Sequence, residues 1–267
     1  QKYMPEFLED IIKKNLNCIH FIKTPDNQMP LFNGANAVKF NQIEKYFENF
    51  KPDNKIDKLG GLFKFKHKNN LILIDVDKPP QKKFSKSYQS GPLSFEYFLD
   101  GIKIITNSGF GSLISKKAEI LSRLTACQST LTINDTSITK FEKNEMINKV
   151  FGDSIQNDFK SFDFISKNEN DLVGCSATNN GYEKIFGCTH KREIYIDKIS
   201  SNLKGIDHIY KIKDGHPIRY TFRFHINPEL NVVKTMSGNS ALIQITKNKS
   251  LLFSVSEENL NIEKSIF

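Results

Sequence analysis

Apolar positions follow two regimes along the chain. Near the N-terminus they recur at helical spacing: Pro5, then Phe7, Leu8, Ile11, Ile12 and Leu16, predicts a helix from about Pro5 to Cys18. After the turn-rich "KTPDNQMPLFNGAN", Ile43, Tyr46 and Phe47 share a face and predict a short second helix from Asn41 to Phe50. Two such short helices cannot bury themselves alone, so they either pack on the later domain or end a longer helical array.

From about Leu59 the period changes to that of strands. "GLFKFKH", "NLILIDVD", "LSFEYFLD", "IKIIT", "STLTIND", "LVGCSAT", "EKIFGCTHKREIYID", "HIYKIKD", "IRYTFRFHI", "NVVKTM", "SALIQITK" and "SLLFSVS" all read as strands. Turns such as "HKNN", "TNNG", "KDGH" and "MSGN" separate many of them. The pattern predicts a mainly β chain, an antiparallel β-sandwich over residues 51–267 preceded by a helical segment over 1–50. Asp100-Gly101 between "LSFEYFL" and "IKIIT" is a hairpin signal. "SKKAEILSRL" interrupts the strands with helical character, and "NEMINKVFGDSIQNDFKSFDFISKNENDL" reads as a long loop with one or two strands.

Composition narrows the chemistry only a little. The 267 residues carry 38 Lys and Arg against 30 Asp and Glu, a formal charge of +8. That excess suits an anionic partner, yet Lys is spread along the chain, as on an ordinary solvated surface. Neither a nucleic-acid-binding motif nor an apolar run approaching about 18 residues is present, so no nucleic acid or membrane partner is expected. Cys18, Cys127, Cys175 and Cys188 form no C-x-x-C pair and are expected to be buried free thiols. His20, His67, His208 and His216 show no metal-ligand spacing. The chain begins with Gln rather than Met, so it reads as a piece of a longer or processed protein.

"FNGAN" after a helix, then "PLSFEYFLDGIKIITNSG", "RLTACQSTLTIND" and "NNGYEKIFGCTHKREIYI" come one after another in an order that resembles the C-terminal part of the heparinase II/III-like polysaccharide lyases. The resemblance runs from about Leu31 to the end. It implies that the N-terminal helices are the last part of an α/α toroid whose remainder lies outside this sequence. A groove for an acidic, uronic-acid-containing polysaccharide would run between toroid and sandwich. Such lyases neutralise the uronate carboxylate, remove the C5 proton with a base and assist departure of the C4 oxygen with an acid.

Against that family pattern the ionisable groups have been exchanged for amides. In register with Ser94-Phe95-Glu96, Gln89 stands where a loop His is typical. Gln128, before Ser129-Thr130-Leu131, replaces a second His, and Asn107 stands where many members have Asp. Those three positions form a metal site in some members; three neutral amides are poor zinc ligands, so neither a metal nor another cofactor is expected here. Hydrogen bonds among the amides could preserve the loop geometry instead. Asn179 occupies a further position where relatives often have His.

Gln89, Asn107, Arg123, Gln128 and Asn179 are therefore the expected substrate-binding residues, and Tyr182 and His190 the expected catalytic ones. Each has a plainer alternative. The amides are also ordinary turn residues, Arg123 a structural ion-pair or capping residue, Tyr182 a packing ring and His190 a strand histidine satisfied by its neighbours. Two functions stay open: the C-terminal part of a lyase acting by β-elimination, or a carbohydrate-binding or scaffold module that has lost the family's histidines. On either reading this chain alone is expected to be inactive.

Overall fold

The computed structural model describes residues 5–40, 51–52, 56–156, 159–212, 219–256 and 260–265. Helix α1 (Glu6–Ile22) runs four residues beyond the predicted Cys18. The expected second helix, Asn41 to Phe50, lies outside the described residues. From there the chain is strands in antiparallel pairs. A six-stranded sheet takes β1 (Lys58–Leu59), β2 (Leu62–His67), β3 (Asn70–Asp75), β4 (Phe95–Leu99), β5 (Ile102–Thr106) and β12 (His225–Ile226) in that spatial order.

β6 (Leu131–Ile133) pairs with β11 (Tyr220–Phe222). A four-stranded sheet is built from β7 (Ser161–Asn168), β8 (Leu172–Asn179), β9 (Cys188–Asp197) and β10 (Leu203–Lys211), ordered β10-β9-β8-β7. The last three strands, β13 (Asn231–Lys234), β14 (Ser240–Thr246) and β15 (Lys249–Ser254), form their own meander. The antiparallel sandwich is thus observed as expected, and among the described residues α1 stands in front of it.

The main core lies between these sheets. Phe63, Phe65, Ile72, Ile74, Phe95 and Tyr97 of the six-stranded sheet meet Cys175, Ala177, Ile194 and Ile196 of the four-stranded one, with Ile243 and Ile245 of β14 alongside. The other face of the six-stranded sheet is covered too: Phe21 of α1 and Phe32 pack on Leu62, Leu73 and Phe98. Four of β4's five residues are consequently buried, which is why its sequence reads as nearly continuous apolar residues. Lys64 fastens the helix to the sheet, its ammonium donating to the carbonyls of Phe21 (2.7 Å) and Lys23 (3.2 Å) at the end of α1. A cation there complements the negative end of the helix dipole.

Turn chemistry sets the hairpin between β4 and β5. Asp100 (φ 51°) and Gly101 (φ 82°) both adopt the left-handed backbone that a type I′ turn requires.

Three local readings need correction. "EKIF" is not strand: α4 (Glu183–Phe186) is a single helical turn stopped by Gly187 in the left-handed conformation, and the strand begins at Cys188. The stretch read as loop contains α3 (Glu145–Phe151), whose first turn is capped by Asn144 Oδ1 accepting from Met146 N (2.9 Å) and Ile147 N (3.3 Å). "IRYTFRFHI" is split between sheets, β11 pairing with β6 and β12 with β5. The helical reading of "SKKAEILSRL" agrees with α2 (Lys116–Ser122), where Ser115 Oγ caps Ala118 N at 3.1 Å. All four cysteines are free; Cys18 is half-buried and the other three are buried.

Candidate functional site

The segments after β3 and β5 and around α2 meet at one end of the sandwich, and the amides form their inner surface. Gln89 is the hub. Its Oε1 accepts from Gly34 N (3.0 Å), and its Nε2 donates to the carbonyls of Gly109 (2.7 Å) and Ser122 (3.1 Å). One side chain thereby joins the N-terminal segment, the turn after β5 and the end of α2. Gln128 Nε2 donates to the same Ser122 oxygen at 2.9 Å, so the two glutamine amides converge. Gly91 lies against Gln128: a Cβ at this position would come within 2.8 Å of Gln128 Cγ.

Asn107 Oδ1 accepts from Ser129 N (2.9 Å) beside this pair. The hydrogen bonds of all three amides run to backbone groups, not to one another as the sequence reading allowed. Each is almost fully buried. Asn107 Nδ2 is left without a partner, a donor where a cation would need a lone pair. The donor set does not fit a transition metal: the oxygens of Gln89 and Asn107 already hold backbone N–H groups, and no cluster of three His, Cys, Asp or Glu occurs among the described residues.

Arg123 is 1% exposed. Its Nε donates to Tyr88 O and its Nη2 to Ser85 O, both at 2.9 Å, and the guanidinium lies 3.9 Å from the centre of the Phe141 ring. Burial lowers its pKa to about 10, leaving it charged at neutral pH. Asn179 Oδ1 accepts from Gly181 N (3.0 Å), shaping the turn before Tyr182, while its Nδ2 is buried without a partner. Tyr182 donates its hydroxyl to Thr136 O at 2.6 Å and is 2% exposed; burial pushes its pKa well above that of an ordinary tyrosine.

His190 is 3% exposed and belongs to an ionic group absent from the sequence reading. Its Nε2 lies 2.7 Å from Asp207 Oδ1, and Arg192 grips the same carboxylate through Nε (2.7 Å) and Nη2 (3.0 Å). Arg192 Nη1 also donates to the carbonyls of Leu93 and Ser129, both at 2.9 Å. Burial alone would raise the Asp207 carboxyl, but Arg192 and His190 together hold it well below the usual range. For His190 burial outweighs the Asp207 contact, so its pKa falls and the ring is neutral at neutral pH.

A second missed group lies under the N-terminal segment. Glu96 Oε1 accepts from Leu31 N (3.0 Å) and Thr106 Oγ1 (3.3 Å), and the Lys103 ammonium sits 3.4 Å from Glu96 Oε2 and 3.9 Å from Asp26 Oδ2. Outside this buried lattice the loops and α2 present cations. Lys82, Lys83, Lys86, Lys117, Lys140 and Lys143 are exposed, and the loops bearing them are tied together by contacts such as Lys82 to Glu142 (3.4 Å). Phe84, 68% exposed, stands among them.

The fold and this end-loop architecture define an antiparallel sandwich domain with a covering N-terminal helix. The sequence matches the heparinase II/III-like C-terminal domain over residues 55–267, and the chain belongs to the heparinase II/III-like family. It superimposes on a heparan sulfate lyase HepC mutant from Pedobacter heparinus with a TM-score of 0.71 at 15% identity, covering 96% of this chain and 41% of that one. The unmutated HepC from the same organism gives 0.68 at 16%, covering 93% and 39%. A heparinase III described as the BT4657 gene product gives 0.67 at 14%, covering 90% and 38%. No curated protein matches the sequence significantly. The chain thus spans about two fifths of the length of these structures.

Proposed function

We propose that this chain is the C-terminal half-site of a polysaccharide lyase-like protein: a sandwich over 51–267 that holds an acidic, uronic-acid-containing polysaccharide, with residues 1–50 the end of a helical toroid. One observation carries the reading. Every family-register residue is buried and engaged with backbone or a buried ion pair, so these residues supply loop geometry and none of them is a solvent-facing acid or base, while surface cations surround them. Tyr182 and His190 then act as structural groups, and proton transfer from C5 and to the C4 oxygen falls to the helical part. The exposed lysines of the loops meet the polyanion.

The all-amide lining favours a second reading, that the entire protein binds glycan without cleaving it. The two are separated by incubating the full-length protein and this chain with a panel of uronic-acid polysaccharides and monitoring absorbance of the unsaturated product. Turnover by the longer protein alone is expected, with salt-sensitive binding by this chain. Saturable binding without turnover in either supports the second reading, and turnover by the 267-residue chain overturns both.

A further inference from the structure

The outer face of the four-stranded sheet carries a trough that the end loops do not use. Strand alternation places Ser176 and Thr178 of β8 and Thr189 and Lys191 of β9 on this face, opposite the core residues Cys175, Ala177 and Ile194. The three hydroxyl residues are buried and form the floor. Walls rise on both sides: Asp163 and Ile165 on β7, Tyr210 of β10 and Ile212 just beyond it, with Glu183 of α4 also lining the trough. The hollow holds about 640 Å³.

Tyr210 is 50% exposed. The His208 ring is stacked beside it, 6.1 Å away and 12° from parallel, and so holds the orientation of the tyrosine ring. The local charge disfavours an anion. Lys191 is already compensated by Glu193 at 2.7 Å, which also faces His208 Nε2 at 3.3 Å, and Asp163 and Glu183 remain as net negative charge. An added peptide strand is disfavoured too, because β8 and β9 are paired on both sides and offer side-chain hydroxyls, not free main-chain groups.

We propose that this trough binds a neutral, hydroxyl-rich polysaccharide segment. The floor hydroxyls and the carboxylates exchange hydrogen bonds with sugar hydroxyls, and the tyrosine face covers the C–H face of a pyranose ring. The site stands on residues apart from those of the acidic-polysaccharide reading, and its test has a separate signature.

Affinity electrophoresis of this chain in native gels containing hydroxyethyl cellulose, xyloglucan, galactomannan or dextran, with heparin in a parallel gel, reads both. Retardation by at least one neutral polymer that persists in about 0.5 M salt is expected, because no ion pair drives it. Tyr210→Ala should weaken it about tenfold, with heparin retardation and the unfolding midpoint unchanged. Ser176→Ala, which removes one floor hydroxyl, should weaken it as well. Retardation by none of the four neutral polymers, or retardation undiminished in both variants, overturns the proposal.

Discussion

Asp75 ends β3 with a buried carboxyl whose only described hydrogen bond is from Asp77 N at 3.4 Å, close to a Tyr88 hydroxyl buried without a partner. Burial, opposed by the Asp77 backbone hydrogen bond and reinforced by the Asp77 charge, raises its pKa to about 7. The folded state therefore holds a proton that the unfolded chain releases near pH 4. The contribution of this group to stability is full below about pH 4, falls as pH rises, and is lost, on the order of 4 kcal/mol, above about pH 7. Asp75→Asn should raise the melting temperature at pH 8 and flatten its pH dependence between about 4 and 7. An unchanged pH profile would show that the carboxyl is not the source. Arg192 poses the opposite case: Asp207→Ala leaves its guanidinium, 1% exposed, without a counter-charge and should cost about 3–5 kcal/mol in urea unfolding. A smaller loss in Asp207→Asn, which keeps an oxygen for Arg192, would assign the difference to the retained hydrogen bond and the loss that remains to charge.

At the level of elements, the legible parts were those whose signal is local. The β4–β5 hairpin was readable from alternation and Asp-Gly, and α2 from its helical run, whose cap is Ser115. Replacing that cap with Ala should lower stability by about 1 kcal/mol, whereas Ser115→Asp should retain most of it; equal denaturation midpoints for parent and Ala variant would remove the cap's role. α3 carried the same kind of signal, Asn144 before and Gly152 after, but polar residues on either side of a short apolar run hid it. The division of "IRYTFRFHI" between two sheets was not readable, because alternation gives a strand its faces and not its neighbours. Asp207 was missed for a related reason. Its meaning comes from standing directly across from Arg192 in the β9–β10 register, and counting outward from the turn after Asp197 would have placed the two together. The positions of the amides were legible through the family register, but their engagement with Gly34, Gly109 and Ser122 depends on three distant segments meeting.

Across the whole molecule, burial is uneven in a way that bears on the proposed toroid. The C-terminal end of α1 is anchored by Phe21 and Lys64, while Phe7, Leu8, Ile11 and Ile12 near its start are 66%, 38%, 48% and 41% exposed. Helical propensity alone leaves so short a helix marginal, so its first turns depend on something covering that apolar stripe. If residues 1–50 end a toroid, earlier helices of the longer protein supply the cover. Hydrogen exchange of the two proteins measures this directly. In the 267-residue chain, amides in the first half of α1 should exchange much faster than those near Phe21, which share the stability of the sheet beneath them. In the longer protein that gradient should flatten, with slower exchange confined to the first half and the β4–β5 hairpin unchanged. Equal exchange of the first turns in both proteins would mean that no helical neighbour covers them, and it would remove the groove between toroid and sandwich on which the split-site reading depends.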